Sequence, residues 1–157
     1  MIITHKCCIP HPARQPIMTN KDWQSEFCLS NACELLYLYQ DKFGKNDRIL
    51  DVGCGEGFIT AWLANKVPSG YVLGIDICQS TISLAKGKYK KYQNLNFIVS
   101  EASNIEVQEK FNWIVAFNSL HWLQENLQLA FLKKARKILA INGKMLFTLG
   151  MRHEPIW

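Results

Sequence analysis

A glycine-rich loop and one acidic residue downstream of it are the parts of this sequence best spaced to bind a ligand. Glycines alternate at positions 53, 55 and 57 in a GxGxG pattern, and Asp76 follows 23 residues after Gly53. Glycines let the backbone approach a ligand closely, and a carboxylate can accept hydrogen bonds from ribose hydroxyls. The glycines alone would equally suit a structural turn. Together with the acid, they favour a nucleoside site.

The segments on either side of the loop predict a strand before it and a helix after it. Residues 49–52 form a short apolar run, and apolar positions then recur at helical spacing up to Pro68. Residues 71–76 predict a second strand that ends at Asp76, and Ser80 or Thr81 is a candidate N-cap for the next helix. The loop and the acid are therefore expected at the ends of neighbouring strands.

The same alternation continues to the end of the chain. We predict strands at residues 96–100, 113–117 and 144–149, a weak helix or loop between the first two, and a helix that reaches Leu139 before a turn at Asn142-Gly143. Residues 23–43 predict one or two helices before the first strand. Five strands alternating with helices predict an α/β, doubly wound, mostly parallel sheet with helices on both faces.

A dinucleotide-binding dehydrogenase is the competing interpretation of the glycine loop. Its fingerprint is GxGxxG, with a pyrophosphate over the helix N-terminus. Here the third glycine comes one position too early, and Phe58 stands where the fingerprint needs a small residue. These departures make the dehydrogenase the weaker alternative.

Residues 49–57, with the sequence ILDVGCGEG, and residues 74–76 resemble the first two motifs of class I methyltransferases. More narrowly, Trp23 and the run Ser119-Leu120-His121-Trp122 are similar to the trans-aconitate and juvenile hormone acid methyltransferase group. The resemblance covers residues 19–150. It implies a Rossmann-like methyltransferase core that uses S-adenosylmethionine and releases S-adenosylhomocysteine.

The resemblance also implies roles for the residues around the loop. Asp51 would help to hold the methionine ammonium group, the loop backbone would pass beneath the cofactor, and Asp76 would hold the ribose. The loop residues implied in cofactor binding are Gly53, Cys54, Gly55 and Gly57.

Further cofactor contacts are implied at the ends of the next strands. Ile77 would lie against the adenine face, and Glu101 or the backbone of Ala102 would meet the adenine amino group. Glu101 departs from the aspartate usual in the family by one methylene. Asn118 would border the methionine portion.

His121 and Trp122 are the candidate catalytic residues, because the resemblance implies that they lie near the transferred methyl group. Methyl transfer from a sulfonium mainly requires alignment of the nucleophile, the carbon and the sulfur. A carboxylate acceptor needs no general base, whereas a phenol or amine could recruit His121. The resemblance implies O-methylation of a small carboxylic acid. A packing pair at a helix N-terminus is the alternative for these two side chains.

Class I methyltransferases usually continue past strand five with a helix and an antiparallel pair, strands six and seven, whereas this sequence stops at Trp157. We therefore expect either a fragment or a domain without its last third, with the strand-five edge exposed unless a homodimer or another partner covers it. A non-catalytic cofactor-binding module that acts through a partner is the second functional hypothesis. Nucleic-acid methylation ranks lowest, because residues 118–121 are NSLH rather than NPPY or DPPY.

Length and composition predict one globular domain, since the chain has 157 residues, of which 48% are hydrophobic. We expect an irregular leader at residues 1–18 and the methyltransferase core at residues 19–157. The six cysteines lack disulfide-framework spacing, and no secretory segment follows Met1, so we expect reduced thiols in a cytoplasmic protein without a membrane partner. The leader's histidines and cysteines, His5, Cys7, Cys8 and His11, lack a paired CxxC, and no metal is expected.

The net charge of +5 includes a local group of lysines at positions 86, 88, 90 and 91. They fall late in a predicted helix, where cations complement the negative end of the helix dipole. A solvated helix end is the favoured explanation, and a phosphate or nucleic-acid patch is the alternative. The expected substrate is a small molecule rather than a nucleic acid.

Overall fold

Strands and helices alternate along the described part of the chain, which in this computed structural model comprises residues 31–117, 119–120 and 123–148. Within these ranges the α-helices are α1 (Asn31–Tyr39), α2 (Phe58–Lys66), α3 (Gln79–Lys88) and α4 (Glu125–Ile138). The strands there are β1 (Arg48–Val52), β2 (Tyr71–Asp76), β3 (Leu95–Val99), β4 (Phe111–Ala116) and β5 (Leu139–Phe147). Short 3₁₀ helices cover Gln40–Lys42 and Ala102–Asn104. The predicted leader and Trp23 lie outside the described residues.

The described strands form a sheet in the order β3-β2-β1-β4-β5, and every neighbouring pair is parallel. The chain builds one half of the sheet from β1 through β2 to β3, and then crosses to β4 on the other side of β1. In open α/β sheets, ligands bind in the crevice beyond the carboxyl ends of the strands at such a switch point. The predicted doubly wound α/β fold is confirmed.

Both faces of the sheet are covered by helices. Leu50 of β1 belongs to an apolar cluster that includes Phe131 of α4, whereas its neighbour Ile49 belongs to another cluster that includes Leu36 of α1 and Leu63 of α2. Successive side chains of a strand point to opposite faces, so a strand covered on both sides is apolar throughout. This explains why Ile49, Leu50 and Val52 of β1 are all apolar and buried, and it makes the buried Asp51 an exception in this strand.

The fifth strand begins earlier than predicted. Leu139 was expected at the end of a helix, but it starts β5 and pairs with Phe111, while Lys144 pairs with Trp113 after a register shift. Asn142, with φ 62°, lies within the strand rather than in a turn before it. Pairing with β4 outweighs the local turn signal at Asn142-Gly143. The predicted end of the strand at residue 149 lies outside the described residues.

The third and fourth strands keep their predicted places with shifted bounds. Leu95–Val99 replaces residues 96–100, and Phe111–Ala116 replaces residues 113–117. The predicted weak helix or loop between them is the 3₁₀ helix Ala102–Asn104 followed by irregular chain. Among the described helices, none combines the length and apolar character needed to cross a bilayer.

Candidate functional site

The glycine loop joins β1 to α2 and is fastened to the end of β2 by backbone hydrogen bonds. The N–H groups of Gly53 and Cys54 both donate to the Ile75 carbonyl, at 2.8 and 2.9 Å. Within the loop, the Gly57 N–H donates to the Cys54 carbonyl at 2.9 Å. These bonds fix the loop across the carboxyl ends of the two strands, where the sequence predicted it.

Two of the loop glycines share a positive φ but differ in what surrounds them. At Gly57, φ is +80°, and an added Cβ would lie 2.5 Å from the Phe97 ring, so a side chain is excluded by both backbone and packing. At Gly55, φ is +53°, but an added Cβ would meet no atom of the other described residues within 4 Å. The loop therefore packs tightly at its helix end and presents an open surface at its centre.

Asp76 ends β2 directly beside the loop, as predicted. Its Oδ2 accepts a hydrogen bond from the Gly55 N–H, and its Oδ1 accepts one from the Cys78 N–H, both at 2.9 Å. A carboxylate oxygen has two lone pairs, so each can accept a further hydrogen bond. The half-buried carboxylate thus stabilises the loop and keeps capacity to bind hydroxyl groups of a ligand.

Asp51 is a buried carboxyl group behind the loop. Only 2% of the residue is exposed, and its Oδ2 accepts a hydrogen bond from Thr60 Oγ1 at 2.7 Å. Burial raises the pKa of Asp51 to about 7, the Thr60 hydrogen bond lowers it, and the nearby charge of Asp76 raises it further. The residue expected to hold an ammonium group therefore titrates near neutrality in the absence of a ligand.

Cys54, the loop residue between Gly53 and Gly55, is half-buried. Burial raises the pKa of its thiol well above the ordinary range, and the charges of Asp51 and Asp76 act in the same direction. Its Sγ would lie 3.0 Å from a Cβ added at Gly74 of β2. Cys54 is thus a protonated packing residue rather than a reactive nucleophile.

The residues predicted to face adenine lie at the same edge of the sheet. Ile77 directly follows Asp76 and is 41% exposed, whereas Ala102 is buried at the start of its 3₁₀ helix. Glu101 is exposed, and its Oε2 accepts a hydrogen bond from Asn104 Nδ2 at 2.9 Å. The Ser100 N–H donates to the Asp76 carbonyl at 3.0 Å and joins this segment to the end of β2.

On the other side of β1, the segment after β4 is described only in part. Asn118, His121 and Trp122 lie outside the described residues, so their predicted roles stay predictions. Ser119 is described, and its Oγ donates to the Val52 carbonyl at 2.8 Å. Its Cβ lies 2.3 Å from the position of a Cβ added at Gly53, so glycine is needed there for this contact.

Sequence analysis did not identify Thr60 or Ser119 as site residues. Thr60 is fully buried in the first turn of α2. The helical pattern predicts that it belongs to the helix but indicates no role for it in the site. A hydroxyl one turn after the glycine loop, facing a strand that carries a buried acid, is the signal that could have indicated it. Ser119 entered the sequence analysis only as part of the run 119–122, and its contact with Val52 crosses 67 residues of sequence, so no local pattern indicated that contact.

The fold and the site together define a doubly wound α/β protein whose glycine loop and Asp76 lie at the switch point of the sheet. A family model described as "Methyltransferase domain" matches residues 49–143, which include the glycine loop, Asp76, strands β2 to β4, most of β1 and the start of β5. The chain belongs to this methyltransferase domain family. The resemblance to class I methyltransferases is confirmed, and the narrower resemblance to the trans-aconitate group stays a prediction.

Individual relatives agree with the family. The chain is 29% identical over 101 residues to a malonyl-[acyl-carrier protein] O-methyltransferase of Bacillus anthracis, covering 64% of this chain and 36% of that protein. It is 27% identical over 119 residues to the enzyme of the same name from Bacillus cereus, covering 74% of this chain and 43% of that protein. The chain thus spans less than half the length of these relatives.

Part of a solved structure has the same fold as this chain. PKMT2 from Rickettsia typhi, in complex with AdoHcy, aligns with a TM-score of 0.61 and 26% identity over 66% of this chain and 21% of that chain. The match supports the methyltransferase fold over the dehydrogenase alternative. It also shows that the shared unit is a small part of the larger protein.

Proposed function

We propose that this chain binds S-adenosylmethionine at the glycine loop and forms the cofactor-binding part of a methyltransferase that methylates a carboxylic acid. The observation that carries the proposal is the open surface at Gly55 beside the Asp76 carboxylate. A flat backbone surface next to a hydrogen-bond acceptor suits a nucleoside that must be held by its ribose. Because the chain belongs to a methyltransferase domain family, we propose S-adenosylmethionine as this nucleoside.

Each described residue has a distinct task in this proposal. Asp76 accepts hydrogen bonds from the ribose hydroxyls, Ile77 packs against adenine, and the segment at Glu101-Ala102 meets the adenine amino group. Asp51 supplies negative charge for the methionine ammonium group. The bound sulfonium supplies an activated methyl group, so the protein's contribution is to position the ligand and exclude water.

A carboxylate acceptor is supported by the names of the relatives. Two of them are malonyl-[acyl-carrier protein] O-methyltransferases, whose name describes methyl transfer to an oxygen of a carrier-bound malonyl group. A carboxylate is already nucleophilic at neutral pH and needs alignment rather than deprotonation. We therefore propose a carboxylic acid as acceptor, with malonyl thioesters as the first compounds to test. We further propose that the protein acts in the cytoplasm.

Calorimetric titration with S-adenosylmethionine and S-adenosylhomocysteine tests the cofactor proposal, with NAD as the control ligand. Gly55→Ala places a methyl group on the open surface, where the described part of the chain brings no neighbouring atom within 4 Å. It should cost about 1 kcal/mol of stability through its positive φ, but weaken ligand binding at least about tenfold. Asp76→Asn should weaken binding about 10- to 100-fold, because hydrogen bonds to a charged group are lost.

Glu106→Gln serves as the matched control, because Glu106 is an exposed acid that the proposal does not use. It should bind both adenosyl ligands as the wild type does. Absence of binding by a wild-type chain with a cooperative unfolding transition would refute the cofactor proposal. If the ligands bind, incubation with S-adenosylmethionine and a panel of carboxylic acids, amines and phenols tests the acceptor class. Turnover restricted to amines would refute a carboxylate acceptor, and binding without any turnover would favour the non-catalytic module.

A further inference from the structure

Two buried polar side chains face each other directly behind the glycine loop. Asp51 lies in β1 before the loop and Thr60 lies in α2 after it, and their exposed fractions are 2% and 0%. Thr60 Oγ1 donates a hydrogen bond of 2.7 Å to Asp51 Oδ2. This hydrogen bond therefore links the two elements that the loop connects, on the side away from the solvent.

We propose that Thr60 is a positioning residue of the cofactor site, which holds the Asp51 carboxylate ionised and oriented for the ammonium group of the ligand. The proposal rests on the proposed function, since it assumes that an S-adenosyl ligand occupies the crevice. It assigns to Thr60 control over the pH range in which the site binds that ligand. Thr60 acts through Asp51 and needs no contact with the ligand itself.

The surroundings of Asp51 explain why one hydroxyl group has such influence. In the described sheet, the strand neighbours of Asp51 are Gly74 of β2 and Val115 of β4, which bring no charge. Among the described residues, the titratable groups that act together with Asp51 are Asp76 at the end of β2 and Cys54 in the loop. The interaction with Asp76 raises the pKa of Asp51, and burial raises the pKa of the Cys54 thiol, so neither group supplies a positive charge that would favour ionisation of Asp51. Among the described residues, the Thr60 hydroxyl donates a hydrogen bond to Asp51 and thereby favours its ionised form.

Ionisation of Asp51 is consequently balanced near neutral pH. Burial and the Asp76 charge raise its pKa to about 7, against the lowering effect of the Thr60 hydrogen bond. A bound ammonium group favours the ionised form even without direct contact, because charges interact strongly in a poorly solvated site. Ligand affinity should therefore rise with pH through the pKa of Asp51, and binding near pH 7 should release a fraction of a proton.

The experiment measures S-adenosylhomocysteine binding to the full chain by calorimetry, from about pH 5.5 to about pH 8.5, in buffers of different ionisation enthalpy. Thr60→Val removes the hydroxyl with little change of shape, Thr60→Ser keeps it, and Asp51→Asn removes the titrating group. We expect Thr60→Val to move the midpoint of the affinity profile upward by about one pH unit. Thr60→Ser should restore the wild-type midpoint, and Asp51→Asn should give a flat profile without proton release.

A merely structural role for Thr60 would change affinity or stability at every pH alike, and it would leave the midpoint in place. A Thr60→Val profile that coincides in midpoint with that of the wild type would therefore overturn the proposal, as would a flat wild-type profile. If Thr60→Val does not fold, Thr60→Cys supplies a weaker donor of similar size, and its midpoint must lie above that of Thr60→Ser. Equal midpoints for these two variants would also overturn it.

Failure of the proposed function has a different signature. In that case the folded wild-type chain binds neither S-adenosylmethionine nor S-adenosylhomocysteine at any pH, and the role of Thr60 is rejected with it. If only the role proposed for Thr60 is wrong, the wild-type chain still binds the ligand, and the midpoint of its affinity profile does not depend on residue 60. The two results cannot be confused, because the wild-type titration separates them.

Discussion

The two sides of the sheet differ in how their carboxyl ends are held. Beside β1 and β2, the loop is fixed by backbone hydrogen bonds to Ile75 and by the carboxylate of Asp76. Beside β4 and β5, the described link to the loop is a single side chain, Ser119. The burial patterns differ as well, since β2 is buried along most of its length, whereas β5 exposes residues such as Ile141, at 94%.

This difference separates a locally built half from one that depends on distant contacts. The half of the sheet that is proposed to bind the cofactor consists of β1, β2 and the loops that follow them. These segments lie within about 30 residues of sequence and are joined to each other by hydrogen bonds. The other half brings its residues together through β4 and β5, whose pairing includes a register shift. We therefore expect substitutions near the loop to have large effects and substitutions on β5 to have small ones.

The largest expected effect is the pH dependence of stability caused by Asp51. Its pKa of about 7 in the folded chain lies above the ordinary value of 3.8. Between these values the folded chain keeps a proton that the unfolded chain releases, so the free energy of unfolding falls as pH rises, by up to about 4 kcal/mol. Asp51→Asn should remove this loss. Urea unfolding at about pH 4 and about pH 8 should show the variant gaining stability over the wild type at the higher pH.

Asp41→Asn provides the control for this measurement, because Asp41 is an exposed aspartate in the 3₁₀ helix before β1. It should follow the wild type at both pH values. A difference between Asp51→Asn and the wild type that is the same at both pH values would contradict a raised pKa. It would also weaken the expectation that substitutions near the loop have larger effects than substitutions on β5.

The second effect concerns the tight end of the loop. Gly57→Ala should lower the free energy of unfolding by about 3 kcal/mol, because its Cβ would lie 2.5 Å from the Phe97 ring at a φ of +80°. Gly87→Ala is the matched control, since within the described residues an added Cβ there meets no atom within 4 Å. Because Gly87 lies in α3, alanine should stabilise the chain by about 0.5 kcal/mol. Urea unfolding of both variants measures the difference.

A substitution at Phe97 tests whether contact with its ring causes the stability loss expected for Gly57→Ala. Replacing Phe97 by leucine in the Gly57→Ala chain removes the far end of the ring, and it should recover part of the stability. If Gly57→Ala and Gly87→Ala are equally stable, the loop must be able to move away from β3. The β1–β2 side would then be less rigid than its hydrogen bonds indicate.

The sequence was sufficient for the features that depend on local pattern. The alternation of strands and helices, the glycine loop and Asp76 at the end of β2 all follow from periodicity and spacing, because the patterns that indicate them are close in sequence. The order of the strands in the sheet was not predicted, since it depends on pairs such as Ile49 with Trp113, which lie far apart along the chain. The first residue of β5 could not be predicted in this way. Leu139 fits the apolar face of a helix as well as a strand, and only its pairing with Phe111 decides between them.

The site shows the same division. Asp51 was assigned from the resemblance, but its burial and its hydrogen bond to Thr60 depend on how α2 packs on the sheet. Ser119 reaches Val52 across 67 residues, which no local pattern encodes. The roles of Asn118, His121 and Trp122 rest on the resemblance and stay predictions. Long-range packing thus accounts for what sequence reasoning missed.

The smallest expected effect is on β5, which lies at one edge of the described sheet. Ile141→Lys should change the free energy of unfolding by less than about 0.5 kcal/mol at low protein concentration, because the residue is 94% exposed. If a second copy covers this edge, which is one of the alternatives that the sequence leaves open, lysine should also weaken self-association, since charged residues oppose edge pairing. Sedimentation of both chains at several concentrations measures this. A loss of several kcal/mol in the monomer would instead show that the edge packs within its own chain, and the contrast between the two sides would no longer hold.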